Sequence, residues 1–107
     1  MAPSLGPSLG RIVHYKLTDG DAQAVNRRRA TMGRGDLATG EQLHVGARVA
    51  PGDVFAAMVV RVADPTENLQ VFLDGNDVLW KEGVEASHVE AAEAPLGTWS
   101  WPTRVSH

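Results

Sequence analysis

The 107-residue chain contains no cysteine. That absence removes disulfide cross-links, thiolate nucleophiles and every cysteine-ligated zinc or iron–sulfur centre. Long hydrophobic runs are missing as well. The longest uninterrupted apolar stretch runs from Val54 to Val60, far short of the ~18 residues that a membrane-spanning helix needs. The opening Met1-Ala-Pro-Ser-Leu-Gly-Pro-Ser lacks a charged segment followed by a long apolar one, so no secretory leader is expected. Positive charge is not in excess either: the net charge is -3, whereas a general nucleic-acid binder is basic. The length allows one small domain and excludes a large enzyme with its own cofactor domain.

Catalytic signatures are also absent. None of the five serines sits in a Gly-x-Ser-x-Gly context, and no His-Glu-x-x-His pattern occurs. Gly33-Arg34-Gly35 has no Gly-Lys-Ser/Thr ending and cannot be a phosphate loop. Asp74-Gly75-Asn76-Asp77 lacks the regular ligand spacing and terminal Glu of a calcium hand. Arg34-Gly35-Asp36 spells an adhesion tripeptide, but three residues match by chance. One metal arrangement stays open on paper: His14 and His44 across a sheet, with Asp74 or Asp77 supplying a carboxylate. Separate surface histidines explain the same residues. The chain is therefore read as a non-enzyme, with no cofactor and no metal; a small metal-dependent enzyme is the remotest alternative.

What the chain does contain is a series of short strands. Residues 11–17 alternate, with Val13, Tyr15 and Leu17 on one face and Ile12, His14 and Lys16 on the other. Thr18 and Asp21 form a short capping box for a helix near 19–31. Its apolar stripe of Ala22, Val25, Ala30 and Met32 is thin, which puts it at a core edge. Residues 33–52 are punctuated by five glycines, with mobility expected near 33–41 and a short strand at 43–45. Residues 54–62 make the longest strand. Their poor alternation predicts burial on both faces or a bend through a closed sheet. Residues 69–73 follow, with Leu69, Val71 and Leu73 inward, then a tight hairpin at 74–77 and a strand at 78–84. Residues 85–95 read as an acidic loop with one helical turn. A last strand spans 97–102, with Trp99 and Trp101 on one face and Pro102 suggesting a sheet edge.

The sum is mainly β: a small, strongly bent sheet or SH3-like barrel with one inserted helix. The division is a flexible arm at 1–9 and a single domain at 10–107. Charge divides unevenly. Residues 1–61 carry eight basic and five acidic groups; residues 62–107 carry two and eight. Complementary patches of this kind favour head-to-tail or ring assembly.

Gly10-Arg-Ile-Val-His-Tyr15, Phe55-Ala-Ala-Met-Val-Val-Arg-Val62, Asn68-Leu-Gln-Val-Phe-Leu-Asp-Gly75 and Gly97-Thr-Trp-Ser-Trp-Pro102 together resemble a group of small proteins encoded by tailed bacteriophages and prophages. The resemblance spans roughly residues 10–102. Related proteins often carry His between the two tryptophans, where this chain has Ser100. The resemblance implies a phage setting: host cytoplasm during infection, or the virion. It implies no enzyme class.

Together these readings point to a structural or interaction protein, such as a virion decoration or connector subunit. Its partner would be another copy or another phage structural protein, with no membrane partner. The candidate interaction residues are Arg27, Arg28, Arg29, Arg34, Trp99 and Trp101. The alternative is a nucleotide-binding accessory protein that sequesters a host signal, stacking a base on tryptophan and holding phosphate with arginine. Core packing is the competing role for at least two of the three tryptophans.

Overall fold

A computed structural model describes residues 7–32, 48–74 and 77–102. Most of the expected arm, the segment at 33–41, the strand at 43–45, His44 and Arg34 lie outside the described residues. The elements run β1 (Ile12–Lys16), α1 (Asp19–Met32), β2 (Val54–Val62), β3 (Glu67–Leu73), β4 (Asp77–Ala86) and β5 (Thr98–Ser100). The five strands close into a barrel in sequential order. All neighbours are antiparallel except β4 and β5, which pair in parallel. This is a small mainly-β fold of the SH3-like barrel type with one inserted helix.

Alternation decides which side chains fill the barrel. Val13, Tyr15 and Leu17 point inward from the first strand and its exit. Ala57, Val59, Leu69, Val71, Leu73 and Trp99 meet them in one buried cluster. Ala22 and Val25 of α1 join that cluster, which sets this part of the helix against the core. The capping box forms reciprocally: Thr18 Oγ1 accepts from Asp21 N at 3.0 Å, and Asp21 Oδ2 accepts from Thr18 N at 3.1 Å. Asn26 then ties the helix to the approach of β2, donating to Val49 O and accepting from Val49 N.

The long strand resolves the ambiguity in its own sequence. It pairs with β1 through Val54–Met58 in register and with β3 from Ala57 onward. It passes from one neighbour to the next as the sheet bends, and a bulge between Val59 and Arg61 adjusts the register. It is not buried on both faces: Val54, Ala56 and Val60 are exposed. β4 is longer than the expected 78–84: Asp77 pairs with Leu73, and beyond Gly83, at φ 68°, Glu85 and Ala86 pair with Thr98 and Trp99 of β5. β5 is no edge strand. It lies between β1 and β4, and Pro102 falls beyond its last paired residue, where a missing N–H costs no ladder bond. Residues 87–97 form consecutive turns and no helix. Lys16 Nζ pins them to β1 by donating to the carbonyls of Ala92 and Ala94.

Candidate functional site

Three polar clusters and one apolar surface are the candidates. The first cluster centres on Asp21. Besides its cap, the carboxylate accepts from the Tyr15 hydroxyl and from Lys81 Nζ at 2.7 Å. Burial alone raises its pKa. The bonds from Lys81, Tyr15 and the Thr18 backbone, with the lysine charge, outweigh that and hold it below the ordinary aspartate range. Burial, the hydrogen bond to Asp21 and the aspartate charge drive the Tyr15 phenol well above its usual value. At neutral pH this cluster is a fixed carboxylate with fixed donors. It locks α1 to β1 and β4.

The second cluster decides the arginine run. Arg28 Nη2 lies 2.6 Å from Asp77 Oδ2, and Arg29 Nε lies 3.7 Å from the same oxygen. Arg29 also donates to the carbonyl of Asp74. Both side chains thus fasten the end of the helix to the β3–β4 hairpin. Arg27 is exposed. The Asp77 carboxylate is buried against these guanidiniums, so it is not open to a cation beside His14. Among the described residues no three His, Asp or Glu side chains gather as a metal site. The Arg28–Asp77 pair joins a base of the basic half of the sequence to an acid of the acidic half and so offsets part of the charge asymmetry inside the fold, whereas Lys81–Asp21 pairs the minority charge of each half.

The third cluster holds the tryptophans. Trp99 is 2% exposed and donates from Nε1 to Glu67 Oε1 at 2.8 Å, inside the barrel. Trp101 is half-buried, packs edge-on against Trp99 at 5.2 Å, and carries the Arg11 guanidinium over its ring at 4.8 Å. Trp99 therefore belongs to the core and Trp101 packs on its flank. Ser100, opposite His14 in the ladder, is buried with no hydrogen-bond partner for Oγ among the described residues.

The apolar surface is the outer face of β2, β3 and β4. Register places Met58 beside Gln70 and Gln70 beside Trp80; in the next row Phe72 stands beside Val78. Trp80 is 53% exposed, Val78 43% and Phe72 41%, and Val60 extends the patch. The sequence reading missed this face. The signal was present: Phe72, Val78 and Trp80 occupy the strand phase opposite to the core residues, where a solvated sheet carries polar groups. An apolar patch of adjacent residues marks an interaction surface more reliably than scattered ones do.

Comparison of the chain with family models, curated proteins and solved structures returns no match. No helix among the described residues is long and apolar enough to cross a membrane.

Proposed function

We propose that this chain is a non-catalytic interaction subunit that docks on a protein through the outer face of β2, β3 and β4. The setting that fits its sequence resemblance is a phage assembly, as a decoration or connector subunit made in the host cytoplasm and carried into the virion. The observation that carries the docking reading is the pair of adjoining rows, Phe72–Val78 and Met58–Gln70–Trp80, in which Phe72, Val78 and Trp80 are exposed. Removing one large apolar side chain from water is worth about 1.5–3 kcal/mol, and tryptophan is the residue most enriched among energetic anchors of interfaces. The polar clusters support the same reading, because their charged groups already hold the barrel and helix together.

The nucleotide reading draws on Arg27, Arg28, Arg29 and tryptophan. Two of those arginines are engaged with Asp77, and Trp99 is inside the core. That weakens it relative to docking. The test is a photoreactive residue at position 80, introduced in the producing cells, with the same residue at Val89 as an exposed control. A discrete cross-linked species from position 80 and none from position 89 is expected. No product from position 80 in folded protein would remove the docking reading.

A further inference from the structure

We infer that the occupant of this face is a second copy of the chain, related by a two-fold axis running along β3. The inference rests on the docking reading above and names its partner. A rotation about an axis parallel to β3 keeps each residue's height along the strand and exchanges the β2 side with the β4 side. The central strand then meets itself. Phe72 packs on the partner's Phe72, and the Gln70 carboxamide, both donor and acceptor, can pair with its own copy. Met58 on β2 comes under Trp80 of the partner subunit, a thioether against an indole.

Charge points to the same operator. Arg61 on β2 and Glu82 on β4 are both exposed and flank Asn68 of β3 at one end of the face. Arg61 is in register with Asn68, and Asn68 Oδ1 accepts from Gly83 N, next to Glu82. Neither side chain has an ion-pair partner among the described residues. They stand two strand spacings apart, about 10 Å, and form no ion pair with each other within one copy. The axis along β3 brings Arg61 against Glu82 of the other copy twice over. A foreign partner would need a matching acidic and basic pair in mirror order; a second copy supplies it by symmetry. A standard interface takes about 800 Å² from each partner. The exposed side chains of Val60, Phe72, Val78 and Trp80, with the half-buried Met58, supply its apolar centre, and Arg61 and Glu82 its polar rim.

The test is sedimentation velocity with light scattering on the full chain, from ~1 to ~200 μM, a range that brackets a micromolar dissociation constant. A concentration-dependent species of twice the 11.5 kDa monomer mass is expected. Arg61→Glu and Glu82→Arg should each weaken it about 10-fold or more, and the double reversal should restore it to within about 3-fold. Trp80→Ser should be monomeric with a thermal midpoint like the monomeric parent's. A monomer at every concentration overturns the inference, as does a dimer indifferent to both single reversals. If the chain is monomeric yet position 80 cross-links to a different protein in cells, the second copy is excluded and the docking face stands. If position 80 yields no product at all, both fall.

Discussion

Trp99→Ala removes the largest side chain in the barrel interior, and its cost can be worked from two terms. The ring is 2% exposed and belongs to the buried cluster that fills the barrel. Truncating a buried aromatic costs about 3–5 kcal/mol, as lost transfer energy and residual cavity. The indole N–H also satisfies Glu67 Oε1, itself nearly buried. Losing that donor adds about 1–3 kcal/mol. Domains of this size are stable by about 5–15 kcal/mol in total, so Trp99→Ala should be unfolded or close to it at room temperature. Trp99→Phe separates the terms. It keeps most of the ring and loses the donor, and should cost about 1–3 kcal/mol. Urea unfolding followed by the fluorescence of Trp80 and Trp101 reads both variants. A loss below about 1 kcal/mol for Trp99→Ala would place it among surface substitutions and refute the assignment of Trp99 to the core.

Asp21 predicts a pH dependence. Its pKa is lowered in the folded chain, so its stabilisation is complete above the unfolded value of ~3.9 and is lost as pH falls through the folded value. The gap in urea midpoint between the parent and Asp21→Asn should therefore narrow below about pH 4 and hold constant from there to pH 7; a gap unchanged at low pH contradicts this. Asp77→Ala should cost about 2–4 kcal/mol, more than Arg28→Ala at about 1 kcal/mol, because the carboxylate is buried and shared while Arg28 is a third exposed. Equal losses in thermal melts would contradict the sharing. Gly97 sits at φ 80°, and a Cβ there would fall 2.8 Å from Thr18 Cγ2. Gly97→Ala should lose about 1–3 kcal/mol, and an unchanged midpoint would contradict the close approach.

Much of the barrel was legible because its strands obey a period of two. Val13-x-Tyr15-x-Leu17 and Leu69-x-Val71-x-Leu73 name their inward residues without help. The Thr18–Asp21 cap marks the helix start in four residues. The rest depended on contacts distant in sequence. Nothing local shows that Asp21, read as a cap, also receives Tyr15 and Lys81 from two strands. Nothing local shows that Arg28 and Arg29, which look like a free basic patch, meet Asp77 across the fold. The tryptophans divide the same way. Period two pairs Trp99 with Trp101, but only closure of the sheet buries one and leaves the other on its flank under Arg11. The outer face was hidden by an ambiguity of β2 itself. Apolar residues in both phases mean burial on two sides in a layered sheet, and in a closed barrel they mean an uncovered exterior.

The central claim is that the face around Trp80 serves association and contributes little to the fold. Trp80→Ser tests it most directly, with sedimentation and thermal melting run on the same samples. The account predicts a folded monomer whose stability at low concentration lies within about 0.5 kcal/mol of the parent's, while the parent forms a dimer as concentration rises. A variant that loses several kcal/mol, or one that associates as the parent does, would contradict it.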